Sequence, residues 1–81
     1  MEYKLRFGNR ALKDLRKLDK QVTKRIVDRI EDLTKDLAGD VKKLTDHSPQ
    51  YRLRVGDYRI LFDTEGDTIM IQRVLNRREA Y

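Results

Sequence analysis

Gly56-Asp57, set between YRLRV and YRILF, constrains the fold of this chain more than any other pair of residues. A two-residue turn signal with glycine first suits a type II′ turn, and the runs on either side are rich in β-formers. Such a turn fixes register. Val55 must face Tyr58, Arg54 must face Arg59 and Arg52 must face Leu61. Because side chains alternate along a strand, Tyr51, Leu53, Val55, Tyr58, Ile60 and Phe62 share one face, and Arg52, Arg54 and Arg59 share the other. The expected hairpin therefore has an apolar side for a core and three arginines converging on one patch. Arg54 opposite Arg59 is a like-charge pair, which destabilises a sheet. A local rule broken in this way points to function; the structural alternative is a solvated face whose arginine stems cover apolar surface.

The rest of the chain supplies layers for that hairpin. Residues 2–7, EYKLRF, alternate Tyr3, Leu5 and Phe7 against Glu2, Lys4 and Arg6, as a half-buried strand does. Gly8 ends it, Asn9 is the expected N-cap, and Ala11, Leu12, Leu15 and Leu18 follow at helical spacing. Asp19 is placed to cap a second helix whose Val22, Ile26, Ile30, Leu33 and Leu37 step by three or four, with Gly39 as its stop. Its charged residues, among them Lys24, Arg25, Asp28 and Arg29, belong to a solvated face. Residues 40–50 are expected as connector, anchored by Val41 and Leu44 and turning at His47-Ser48-Pro49, with His47 exposed. Thr64 to Asp67 is a second turn, and Thr68 to Leu75 a last strand, in which a four-residue loop pairs Phe62 with Ile69 and Ile60 with Ile71. One apolar sheet face and two amphipathic helices make a two-layer α+β domain spanning residues 1–81, ordered β-α-α-β-β-β.

Composition limits the chemistry. The 81 residues contain no cysteine and one histidine, so disulfides and thiolate zinc sites are excluded and a reducing cytoplasm is the expected compartment. No segment approaches the length of a membrane span, and Glu2, Lys4 and Arg6 interrupt any apolar leader. Nineteen Lys and Arg against fourteen Asp and Glu leave a net charge of +5, which calls for an anionic partner. Five arginines, Arg52, Arg54, Arg59, Arg77 and Arg78, surround one concavity if the last strand neighbours the hairpin. Guanidinium is planar, permanently charged and bidentate toward phosphate. Tyr51 and Tyr81 add aromatic faces for an unstacked base, as in single-stranded RNA recognition.

The element order, the stretch YRLRVGDYRILF and the ending RVLNRREAY resemble the RelE/ParE superfamily of toxins, in particular its RelE branch of mRNA interferases. The resemblance covers nearly the whole chain; it is strongest in RVGDYRI and NRREAY, and in the helices it is one of pattern. It implies a RelE-like fold with two N-terminal helices on one face of a mainly antiparallel sheet. It also implies a metal-independent, cofactor-free endoribonuclease that enters the ribosomal A site and cleaves mRNA by attack of the ribose 2′-OH, leaving a 2′,3′-cyclic phosphate. The implied partners are a RelB-like antitoxin, the ribosome and mRNA, with operator DNA bound only through the antitoxin complex; no membrane is involved. By position, the family's basic residues before the turn fall on Arg52 and Arg54, that after it on Arg59, and the strand-end arginine and C-terminal tyrosine on Arg77 and Tyr81. Catalytic roles are thus expected of Arg54, Arg59, Arg77 and Tyr81, and RNA or phosphate contacts of Arg52, Arg54, Arg59, Arg77, Arg78 and Tyr51. Some relatives carry lysine at the positions of Arg52 and Arg54, and several carry histidine or lysine at that of Asn76. The same superfamily includes ParE-like gyrase inhibitors and leaves room for a noncatalytic RNA-binding module.

Overall fold

The computed structural model describes residues 2–45 and 48–79. Strand β1 (Lys4–Phe7) leads into helices α1 (Asn9–Arg16) and α2 (Lys20–Asp32), followed by strands β2 (Val41–Lys43), β3 (Tyr51–Val55), β4 (Tyr58–Glu65) and β5 (Thr68–Asn76). The five strands form one sheet in the order β1-β5-β4-β3-β2. Only the β1–β5 pair is parallel. The expected two-layer α+β architecture is therefore present, with one strand more than the periodicity announced. β2 is a three-residue edge strand in the stretch expected as connector, and it pairs Val41 with Leu53 and Lys43 with Tyr51.

The helices differ in how they begin. Asp19 caps α2 as expected, its carboxylate accepting from the Val22 N–H at 3.0 Å. In α1 the cap is Gly8, with Asn9 already helical and no side-chain cap bond. α2 also stops earlier than its apolar stepping implies. The Thr34 hydroxyl donates to the Glu31 carbonyl at 2.6 Å, and the Thr34 carbonyl accepts from the Tyr3 N–H at 2.8 Å. Residues 33–38 thus leave the helix to meet the start of β1, and Asp36 and Leu37 both take φ of 57°. Leu33 remains fully buried, so only the backbone departs from expectation.

The core lies between the helices and one sheet face. Ala11, Leu15, Ile26, Ile30 and Leu33 meet Leu53, Val55, Ile60, Phe62, Ile69, Ile71 and Val74. The β4–β5 connection is tighter than expected. β4 continues to Glu65, which pairs with Thr68 across a Gly66-Asp67 turn, so Phe62 faces Ile71 and Thr64 faces Ile69. That is a two-residue shift from the expected register, and a shift of two keeps every side chain on its face. A bulge at Leu61/Phe62 then brings Ile60 opposite Val74 rather than Ile71.

β1 covers only Thr68 to Ile71 of β5, which leaves the later β5 edge without a strand neighbour. α1 covers it with Asp14, whose carboxylate accepts from the Val74 N–H at 2.9 Å and from Arg73 Nε and Nη2 at 2.8 and 3.2 Å. Burial alone would raise the Asp14 pKa. The hydrogen bonds from Arg73 and Val74, with the charges of Arg73 and Lys17, outweigh it and hold the carboxyl below its usual value.

Candidate nucleic-acid interface

The β3–β4 turn forms as its residues require. Gly56 has φ of +57° and Asp57 does not enter the left-handed region, as a type II′ turn demands. The resulting register is the expected one: Val55 opposite Tyr58, Arg54 opposite Arg59 and Arg52 opposite Leu61. The two facing arginines avoid each other by pointing their heads apart. Arg54 reaches toward Asp40 at 3.7 Å while its N–H donates to the Asp40 carbonyl at 3.0 Å. Arg59 folds back on the turn, Nη1 donating to the carbonyls of Gly56 and Tyr58, each at 3.0 Å. Arg59 is thereby held in place, and Arg54 stays exposed.

The last strand brings the C-terminal arginines to the same place. Tyr58 pairs with Asn76, so β5 ends beside the turn where β4 begins. The Arg77 N–H donates to the Asp57 carbonyl at 2.7 Å, and its guanidinium lies 3.8 Å from the Asp57 carboxylate. The chain then curls. Arg78 N–H donates to the Asn76 side-chain oxygen at 3.1 Å, and Glu79 N–H to the Asn76 carbonyl at 2.8 Å. Asp57, Asn76, Arg77, Arg78 and Glu79 line an open depression of about 370 Å³. Four guanidiniums, those of Arg54, Arg59, Arg77 and Arg78, therefore stand around one turn and one strand end.

Two expected members are placed differently. Arg52 lies on the Arg54 side of its strand yet is only 8% exposed, and its Nε has no hydrogen-bond partner. It belongs to the sheet's buried middle rather than to an open patch, because Leu61 opposite it is buried too. Tyr51 is on the core face and stacks on Phe62, centroids 5.2 Å apart and planes 13° from parallel. That packing occupies one ring face and turns the ring away from the arginine side. Tyr81 lies outside the described residues, as does His47. Among the described residues, no three carboxylate or imidazole groups are arranged to hold a metal ion. A roomier depression, about 900 Å³, lies elsewhere, with Arg6, Asp63 and Glu65 among its lining residues. Its two carboxylates against one guanidinium do not suit a phosphate chain.

Sequence reasoning missed two cationic residues that the fold puts to use. Arg73 pairs with Asp14, 59 residues away, and nothing in local spacing signals that contact. Arg25, expected on a solvated helix face, lays its guanidinium against the turn, with Nη2 3.1 Å from where a Cβ on Gly56 would sit.

A two-layer α+β protein with guanidiniums gathered at a hairpin turn and an adjacent strand end presents a cationic surface there. A family model for the ParE toxin of type II toxin-antitoxin systems matches residues 5–81, and the chain belongs to this family, within the RelE/ParE toxin superfamily. It is similar to Toxin RelE3 of Methanocaldococcus jannaschii, 48% identical over 42 residues. That match spans about half of each protein, 52% of this chain and 48% of the relative. The toxin fold is closely similar to a chain of the RelB-RelE antitoxin-toxin complex from Methanococcus jannaschii, at 37% identity, 89% coverage of each chain and a TM-score of 0.74. It is also similar to a chain of the RelBE2 toxin-antitoxin complex from Mycobacterium tuberculosis, at 28% identity, covering 95% of this chain and 100% of that one with a TM-score of 0.81.

Proposed function

We propose that this chain is the toxin of a type II toxin-antitoxin pair and acts in the cytoplasm as a metal-independent, ribosome-dependent mRNA endoribonuclease. The observation that carries the reading is the gathering of Arg54, Arg59, Arg77 and Arg78 around the β3–β4 turn and the end of β5. Likeness to toxins of the RelE branch supports it. In the proposed reaction the ribose 2′-oxygen loses its proton to a base and attacks the adjacent phosphorus. The bond to the 5′-oxygen breaks, that oxygen takes up a proton, and a 2′,3′-cyclic phosphate remains.

Arg54 and Arg59 hold the scissile phosphate and stabilise charge developing on its equatorial oxygens. Arg77 stabilises the leaving 5′-oxygen, and Arg78 contacts a neighbouring phosphate. Arginine keeps its proton, so the base is assigned to the phenol of Tyr81, the position on which the family's C-terminal tyrosine falls. Orientation of the message in the ribosomal A site supplies much of the remaining barrier reduction, roughly 7 to 11 kcal/mol for well-aligned groups.

The partner that neutralises the toxin is a RelB-like antitoxin, and operator DNA is reached only through their complex. Expression in bacteria should arrest growth. In a reconstituted translation reaction, primer extension should map cuts on translated messages for the wild type, with strong loss for Arg54→Ala, Arg77→Ala and Tyr81→Phe. Equal cleavage by all four proteins would refute the site. The matched family model is that of ParE toxins, which favours gyrase inhibition as the second reading. Inhibited supercoiling with intact mRNA would establish that reading instead.

A further inference from the structure

The β3–β4 turn is flanked by guanidiniums on two sides. Arg59 donates to the Gly56 carbonyl, and Arg25 of α2 lies 3.1 Å from the Cβ position that Gly56 lacks. Beyond Arg25 a groove of about 450 Å³ runs between α2 and β3, with Arg25, Arg29, Lys35 and Arg54 among its lining residues. Four cations face two carboxylates there, Asp32 and Asp40. Both carboxylates engage only loosely: Arg29 is 3.9 Å from Asp32 and Arg54 is 3.7 Å from Asp40, all four side chains more than half exposed. Such pairs contribute little and exchange readily for another anion. Arg25 and Lys35 have no ion-pair partner among the described residues. Arg25 and Arg29 are also one helical turn apart on one face, a like-charge spacing that costs helix stability.

Arg54 belongs to both regions. It lines this groove and it faces Arg59 across the hairpin. We infer that the α2–β3 groove is a second phosphate-binding segment, in which Arg25 and Arg29 hold the phosphates of an RNA strand that passes the turn at Arg54. Planar guanidiniums one turn apart suit successive backbone phosphates, and the absence of aromatic lining makes the contact independent of base identity. The inference rests on the proposed RNA-cleaving function only for which strand enters; the groove's affinity for RNA is measurable without cleavage.

The test is fluorescence anisotropy with labelled 2′-O-methyl single-stranded RNA, which supplies phosphates and lacks the reacting hydroxyl. The proteins are the full chain, Arg25→Gln/Arg29→Gln, Arg29→Gln/Lys35→Gln, and a control, Lys13→Gln/Arg16→Gln, that removes the same charge from α1. Arg25→Gln/Arg29→Gln should bind a long oligonucleotide about tenfold more weakly and lower the salt slope by about 1.4, the value for two lost single-strand phosphate contacts, and Arg29→Gln/Lys35→Gln should lower it by at least about 0.7. The control should bind within about twofold of wild type. Equal weakening by groove and control variants, or unchanged binding by both groove variants that melt like wild type, overturns the inference. So does a groove that loses an acidic peptide, poly-glutamate, while keeping RNA. The two groove variants share only Arg29→Gln, and whichever of them melts like wild type is decisive. Failure of mRNA cleavage with groove-dependent RNA binding would remove the catalytic reading and leave this one standing; the reverse result would do the opposite.

Discussion

Asp14→Ala should cost this fold more than its place on a short helix suggests. The carboxylate accepts three hydrogen bonds, two from the Arg73 guanidinium and one from the Val74 N–H at an edge that β1 does not reach. Its side chain is 12% exposed and that of Arg73 is 27% exposed. Truncating one partner of a buried pair costs about 3 to 5 kcal/mol, because the survivor is left desolvated and unpaired. Arg73 is exposed enough to recover some water, which puts the expected loss near the lower bound, about 3 kcal/mol. For a domain of this size each kcal/mol moves the melting temperature by roughly 4 to 8 °C, so thermal unfolding should shift down by roughly 12 to 24 °C. Asp14→Asn keeps an acceptor for Val74 and should lose about half as much.

The pH dependence follows from the direction of the Asp14 shift. Its pKa in the folded state lies below the ordinary carboxyl value, so its contribution is fully present above that value and is lost as pH falls through the folded one. The stability gap between wild type and Asp14→Asn should be constant near neutrality and close as pH falls below about 4. A shift of less than about 4 °C for Asp14→Ala, or a gap that widens in acid, would refute the account of Asp14 as the cap on the β5 edge.

Gly56→Ala must place a Cβ at φ of +57° with Arg25 Nη2 3.1 Å away; the backbone alone costs about 1 to 2 kcal/mol, read as a lower melting temperature. An unchanged melt would mean that the turn relaxes to another type. Arg52→Met removes a buried guanidinium whose Nε lacks a partner and fills its volume, so stability should hold or rise, and mRNA cleavage should stay near wild type. A large loss of stability would show that Arg52 has a structural partner.

The parts of this fold legible in the sequence are those decided within a few residues. The Gly56-Asp57 turn dictates the β3–β4 register through local φ, and Asp19 dictates where α2 begins through one carboxylate and one N–H. The illegible parts are decided by distant neighbours. α2 ends at Asp32 because Thr34 turns its carbonyl to Tyr3, although Leu33 and Leu37 continue the helical stepping. β2 is three residues long, too short for alternation to show, and exists because β3 offers it an edge. The same division runs through the site. Alternation and turn type suffice to set Arg54 opposite Arg59, and the β4–β5 pairing ends where the hairpin turns, which sets Arg77 beside Asp57. Arg52 obeys the same alternation, yet burial depends on what stands beside it. On a central stretch of β3, with Lys42 of β2 on one side and Leu61 of β4 on the other, its stem and Nε are enclosed, whereas Arg54, one pleat nearer the turn, emerges at the end of the sheet. A strand's periodicity says which face a charge takes; its distance from the sheet's end decides whether a phosphate can reach it.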